Sequence, residues 1–215
     1  MRERDAGQRS RHPRGCGGRR ALALALVVGL LATPGCASVK RWAYEDFGQR
    51  DEWQQPERVV AALNLARGDH VADLGAGSGY FTLRLADAVG PHGRVYAVDV
   101  DDAMLDHVAK EAAEAGATQV VPLRAAPDDP NLPDPVDLVF TSNTYHHLGE
   151  RVDYLRRLRD DLRPGGRVAV VEFHSGSHAT PPETIAEEMR EAGYVLVTSP
   201  DFLERQSFTI WRPAE

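Results

Sequence analysis

The stretch Val71-Ala72-Asp73-Leu74-Gly75-Ala76-Gly77-Ser78-Gly79-Tyr80-Phe81 runs an apolar strand into three alternating glycines and then a helix start. Glycine at 75, 77 and 79 lets the chain turn sharply, and lets the polar end of a ligand approach the backbone more closely than a β-carbon permits. In an open α/β sheet such a bend lies outside the carboxyl end of the first strand, where ligands bind. The next strand, Val95-Tyr96-Ala97-Val98-Asp99, ends in an acid 20 residues after Gly79. A carboxylate at that place can accept both hydroxyls of a ribose. Glycine-rich bends are common, so the spacing has to discriminate. Dinucleotide enzymes use G-x-G-x-x-G, whereas here the pattern is D-x-G-x-G-x-G.

On either side of this bend, helical and strand patterns alternate. They predict helix 56–66, strand 70–74, helix 79–89, strand 94–99, helix 102–115, strand 119–123, strand 136–141, helix 150–162, strand 167–173, helix 182–192, strand 194–198 and strand 206–212. Short Val-rich strands between helices mean a mostly parallel, buried sheet with helices on both faces. Pro56 opens the first helix. Asp101 and Asp102 are suited to cap the third, and Gly116 to take the left-handed conformation just past its end. Pro164-Gly165-Gly166 is expected to end helix 150–162 and set up the next strand. The proline- and aspartate-rich run 127–135 must be a loop.

These features resemble the class I, S-adenosylmethionine-dependent methyltransferases. Beyond the glycine bend and Asp99, Val136-Asp137-Leu138-Val139-Phe140-Thr141-Ser142-Asn143 looks like that family's fourth-strand motif. Leu162-Arg163-Pro164-Gly165-Gly166-Arg167-Val168 looks like its pre-fifth-strand motif. The short link 199–205 between the last two strands resembles the antiparallel hairpin that closes the sheet in this family and is absent from the dinucleotide-binding Rossmann fold. The resemblance implies an α/β, seven-stranded, mostly parallel Rossmann-like sheet with helices on both faces and a C-terminal antiparallel hairpin.

It also implies S-adenosylmethionine as cofactor. Asp73, Gly75 and Gly77 would surround its methionine part, Asp99 would hold the ribose, Met104 would pack near the adenine, and Gly79 and Asn143 would also belong to the cofactor site. Many relatives carry Gly-Asp after the third strand, where this chain has Ala125-Ala126. Either Asp128 substitutes there or adenine is held without that carboxylate.

Methyl transfer is an in-line attack, so the protein aligns two partners and removes a proton where one must leave. His146 and His147, in Asn143-Thr144-Tyr145-His146-His147, follow the fourth strand and are candidate bases because an unperturbed imidazole titrates near ~6.5. Capping or packing of the loop is the competing role for both. Glu172, His174 and His178 add metal-ligating residue types without a diagnostic spacing, and no metal site is expected. No Asn/Asp-Pro-Pro-aromatic motif follows the fourth strand, which argues against exocyclic amines as acceptors. A small-molecule or lipid-like acceptor is the expectation. A noncatalytic envelope protein that binds a nucleoside-like ligand is the alternative, with a nicotinamide-dependent oxidoreductase third.

The first residues differ from the rest. Seven arginines fall within residues 1–20, followed by the unbroken apolar run Ala21 to Ala32. That is too short for a bilayer span of about 20 residues and suits a secretory signal. Thr33-Pro34-Gly35-Cys36-Ala37 resembles a lipoprotein cleavage site, with Thr33 where leucine is usual. Residues 1–36 are therefore read as a leader with Cys36 as a lipidation candidate, 37–55 as an arm or lid containing Trp53, and 56–215 as the methyltransferase domain. The expected location is the periplasm or cell envelope, with membrane attachment through the N-terminus left open. Both cysteines, Cys16 and Cys36, lie in the leader, so the remainder has no thiolate nucleophile, disulfide or cysteine metal site. The arginines and two acids of residues 1–20 contribute +5 to a formal charge of −7, which leaves −12 elsewhere. So acidic a domain is a poor partner for nucleic acid.

Overall fold

A computed structural model of the chain describes residues 50–215. The leader 1–36, the candidate lipidation site Cys36 and the arm as far as residue 49 lie outside the described residues. The elements in chain order are α1 (Arg50–Gln54), α2 (Pro56–Ala62), β1 (His70–Leu74), α3 (Thr82–Val89), β2 (Arg94–Asp99), α4 (Asp102–Glu114) and β3 (Val120–Arg124). There follow β4 (Val136–Ser142), a 3-10 turn (Tyr145–His147), α5 (Arg151–Leu158), β5 (Leu162–Phe173), α6 (Pro182–Glu191), β6 (Tyr194–Thr198) and β7 (Gln206–Pro213).

The seven strands form one sheet in the order β3-β2-β1-β4-β5-β7-β6. Strands β1 to β5 pair in parallel, and β7 runs antiparallel to both β5 and β6. The expected seven-stranded sheet and closing hairpin are both present. Successive strands step outward from β1 to β3, and the chain then returns to lay β4 on the other side of β1. The carboxyl ends of β1 and β4 therefore flank the switch point at which open sheets bind ligands.

Alternation along each strand feeds two cores. Val168 and Val170 of β5 join Tyr154, Leu155, Leu158, Ile185 and Met189 of α5 and α6 on one face. Ala169 and Val171 join Val59, Leu63, Leu85 and Val89 from the α2 and α3 side on the other. Each such fully buried Leu, Val or Ile stabilises the fold by roughly 1.5–3 kcal/mol relative to exposure. This burial outweighs any single hydrogen bond of the sheet.

Asp101 caps α4 by accepting from the Ala103 N–H at 3.0 Å. At the other end Ala117 N donates to Ala112 O, and Gly116 N to Ala113 O, around a left-handed Gly116. These are the paired bonds of a Schellman termination.

Four expected boundaries move by three residues or more, the start of strand 167–173 to Leu162 among them. Helix 56–66 stops at Ala62, because Asn64 turns left-handed at φ 49° and ends the ladder. Helix 79–89 begins only at Thr82, since Gly79 sits at φ 83° inside the bend. Helix 150–162 ends at Leu158, and Pro164-Gly165-Gly166 lies within the irregular first part of β5 rather than before it. Pairing there shifts between Val136 and Leu138, which accommodates a proline that has no N–H to donate. The arm also contains a helix that its sequence pattern does not predict, α1.

Candidate functional site

The bend after β1 is pinned to its neighbour strand at several points. Gly75 N and Ala76 N both donate to Val98 O, at 2.8 and 3.0 Å. Gly77 N donates to Asp99 Oδ2 at 2.8 Å, and Asp101 N donates to Asp99 Oδ1 at 2.9 Å. Each oxygen of the half-buried Asp99 thus accepts one main-chain N–H and keeps capacity for another donor. Two vicinal hydroxyls of a ribose are a donor set of the right number and kind, so the residues present fit the sugar of S-adenosylmethionine. Gly79 is close-packed against α4, where a β-carbon would meet Val108 Cγ2 at 3.1 Å.

Asp73 is buried under the bend and accepts from Thr82 Oγ1 at 2.6 Å. Burial pushes its carboxyl up to about 7, against the pull of the Thr82 hydroxyl. A positively charged ligand nearby would favour the ionised form, as a sulfonium would.

The tip of β4 supplies the second wall. Asn143 takes a left-handed φ of 53°, a conformation asparagine tolerates better than most residues. Its N–H donates to Val171 O, and its Oδ1 accepts from Gln206 Nε2 at 2.7 Å. Thr144 Oγ1 reaches both Ser142 O and Gly75 O, at 3.3 and 3.4 Å, which ties this tip to the glycine bend. The turn that follows is anchored by fully buried Tyr145, whose hydroxyl donates to Glu188 Oε2 at 2.7 Å. Glu188 in turn takes a two-pronged bond from Arg151 at 2.8 and 2.7 Å.

That anchor fixes His146 and His147. His146 Nδ1 lies 3.1 Å from Oε1 of the fully buried Glu172, whereas His147 is exposed. The two imidazoles lie 4.0 Å apart between centroids, with His178 5.8 Å from His146. Partial loss of hydration, with the neighbouring imidazoles adding to it, holds both histidines below the usual imidazole range, although much of the His147 surface meets solvent. They are therefore uncharged at neutral pH, the form in which an imidazole accepts a proton.

Helix α1 lies across these elements. Gln54 is fully buried and donates from Nε2 to Ser142 Oγ at 2.9 Å, while Arg50 Nε donates to Gln54 Oε1 at 2.6 Å. The Arg50 guanidinium stands 3.6 Å over the Tyr80 ring, and the Tyr80 hydroxyl donates to Asp51. Trp53 stacks on Phe173 at 5.6 Å with an interplanar angle of 29°. At Gln55 the chain turns left-handed, φ 46°, and passes into α2. The arm segment is thus bonded to the bend, to β4 and to β5 at once.

Of the residues singled out from sequence, the structure brings Asp73, Gly75, Gly77, Gly79 and Asp99 around one bend, with Asn143 and His146 on the adjoining tip. Met104 is buried on α4, one turn past the cap that bonds Asp99. Asp128 is not brought in. It is exposed on the loop after β3, its carbonyl accepting from Arg157 at 2.9 Å. Ala125 instead sits beside Asp99, donating its N–H to Asp99 O at 3.0 Å. His174 turns toward the hairpin link, its Nε2 3.0 Å from Glu204 O. Among the described residues no group of three or more His, Cys, Asp or Glu side chains is placed to hold a metal ion. Sequence reasoning missed Gln54, Thr144 and Gln206, whose roles arise from partners 63 to 88 positions away in the chain. No local pattern marks them.

Residues 72–168 match the family model described as a methyltransferase domain. Aklanonic acid methyltransferase DauC of Streptomyces sp. (strain C5) is 32% identical over 144 residues, covering 65% of this chain and 66% of that protein. The 27-O-demethylrifamycin SV methyltransferase of Amycolatopsis mediterranei is 29% identical over 144 residues, covering 66% of this chain and 52% of its own length. The chain thus spans between half and two thirds of these relatives. A solved S-adenosylmethionine-dependent methyltransferase from Aquifex aeolicus superposes with a TM-score of 0.71 at 24% identity, covering 80% of this chain and 96% of its own, which shows the shared fold.

Proposed function

We propose that this chain is a class I, S-adenosylmethionine-dependent methyltransferase that transfers the cofactor's methyl group to a small-molecule acceptor. The observation that carries the proposal is the bond from Gly77 N–H to Asp99 Oδ2, which sets the bend and the ribose-holding carboxylate side by side at the switch point. The two relatives, an aklanonic acid methyltransferase and a 27-O-demethylrifamycin SV methyltransferase, support a small-molecule acceptor.

When bound, the cofactor supplies an electrophilic methyl on a sulfonium. Asp99 would hold its ribose hydroxyls, the 75–79 bend would run along its methionine part, and Met104 would face the adenine. Helix α1 covers the site and excludes water, through Gln54 on Ser142 and Trp53 on Phe173. His146, neutral and half-buried, takes the proton that the acceptor loses.

Calorimetric titration with S-adenosylmethionine and, in parallel, NADH tests the reading. Binding of the first and none of the second is expected. Binding of NADH alone would replace it with an oxidoreductase reading.

We further propose, from residues 1–36, that the domain works in the cell envelope, attached through Cys36 when that residue is lipidated. Mass spectrometry of the mature N-terminus distinguishes an acylated Cys36 from plain cleavage. An intact residue 1 in the cytosol would end this part of the proposal.

A further inference from the structure

Glu172 belongs to none of the cofactor-holding elements, yet it is a fully buried acid at the tip of β5 whose surroundings are arranged for a carboxylate. Oε1 accepts from the Phe173 N–H at 2.9 Å, and Oε2 accepts from the His146 N–H at 3.3 Å. The remaining contact, from Oε1 to His146 Nδ1 at 3.1 Å, joins the acid to a side chain of the candidate site. A buried carboxyl with a main-chain donor on each oxygen has no free position for an amide. Glutamine there would turn its NH2 onto a main-chain N–H.

We propose that Glu172 is a positioning residue: its carboxylate accepts the His146 Nδ1 proton, so that Nε2 of the same ring is the bare nitrogen that takes the acceptor's proton. The proposal rests on the methyltransferase reading above and deepens it. An imidazole has two tautomers, and a hydrogen bond at one nitrogen decides which nitrogen is left basic. The same logic gives an orienting acid its place behind a catalytic histidine. His147, its ring tilted against that of His146, feels the Glu172 charge without the Nδ1 contact that His146 makes, and is thereby distinguished from the base.

The titratable groups facing this pair are His147 from the same turn and His178 from the loop after β5. Burial raises the Glu172 carboxyl to about 7, while N–H groups of Phe173, His146 and Tyr145 pull it back. The main-chain donors on both oxygens favour the ionised acid, the form that accepts from Nδ1. A bare Nε2 suits an acceptor whose nucleophile arrives protonated, a hydroxyl above all, because a tertiary amine has no proton to give. As the oxygen–carbon bond forms, the carbon–sulfur bond breaks with its electron pair leaving on sulfur. The hydroxyl proton ends on His146 Nε2 and passes later to solvent.

Two-bond nitrogen–proton correlation spectra of the full chain carrying 15N-histidine read the tautomer directly. At neutral pH His146 is expected with its proton on Nδ1, and Glu172→Gln should convert it largely to the Nε2-protonated form. Glu172→Asp, which keeps the charge, should restore part of the original signal. A Glu172 that merely capped the turn through main-chain bonds would leave the tautomer unmoved. Calorimetry with S-adenosylhomocysteine is run on the same samples. Failure of the wild-type chain to bind it would overturn the methyltransferase reading, whatever the spectra show. Binding together with an Nε2-protonated His146 in the wild type, or with an identical tautomer in Glu172→Gln, would overturn the role of Glu172 alone. Should the glutamine variant not fold, the wild-type spectrum still decides between Nδ1–H and Nε2–H.

Discussion

Gly75 and Thr144, 69 residues apart, approach so closely that a β-carbon on the glycine would fall 2.2 Å from the threonine Oγ1 and 2.7 Å from its Cβ. The glycine is thus required by the wall opposite it as well as by its own backbone, at φ 77°. Gly75→Ala is expected to unfold the bend or lower the melting temperature sharply. Adding Thr144→Gly should recover the steric part and leave the left-handed cost of about 1–2 kcal/mol. Thermal denaturation of the two variants checks this. A single variant as stable as the wild type would mean that the two loops separate freely.

Asp99→Ala removes the acceptor of Gly77 N–H and Asp101 N–H together with the proposed ribose ligand. Cofactor affinity should fall by about 1.5–3 kcal/mol, roughly 10- to 150-fold, as for a charge-assisted hydrogen bond. Asp99→Asn keeps an acceptor oxygen and should lose less. Calorimetry with S-adenosylmethionine measures both. Unchanged affinity in the alanine variant would remove Asp99 from the site.

Trp53→Ala takes away the stack on Phe173 that helps to hold α1 over the sheet edge. Such a pair is worth about 0.5–1.5 kcal/mol beyond its buried area. Because α1 lies outside both cores, the melting temperature should barely move, while S-adenosylhomocysteine affinity should fall about fivefold, within that range. An affinity equal to wild type would show that α1 is not a cover.

Asp73 and Glu172 both have carboxyls raised to about 7 by burial. Unfolded, they titrate near ~4. Between these values the folded chain binds more protons than the unfolded one. Their contribution to stability is therefore greatest below about pH 4, is lost as pH rises through about 7, and is flat above. Asp73→Asn, whose amide oxygen can still accept from Thr82, should flatten this fall. Urea midpoints at about pH 5 and about pH 8 should differ less in the variant than in the wild type. Identical pH dependence in the two proteins would show that Asp73 is ionised in the fold throughout.

Much of the fold was legible from local pattern. The run from Val71 to Phe81, the acid at 99 and the cap at Asp101 each depend on contacts a few residues away, where dihedral preference and alternation speak directly. Boundaries slipped where backbone conformation overrode composition. Asn64 and Gly79 turned left-handed and shortened two helices, and Pro164 was absorbed into a strand because the sheet tolerates an irregular pairing at its edge. The missed helix α1 owes its position to Gln54 reaching Ser142, 88 residues on. An isolated five-residue helix has no stability of its own that a sequence pattern could reveal.

By itself the sequence determined the layered architecture, the edge of the sheet that carries the glycine bend, and the pairing of that bend with a carboxylate. These follow from periodicity and from spacing within one strand-turn-helix unit. The tertiary structure alone decided that Asp128 points outward, that Thr144 forbids a side chain at 75, and that Glu172 rather than His174 stands behind His146. Those outcomes depend on strand order and register, which bring together groups that chain spacing leaves unrelated.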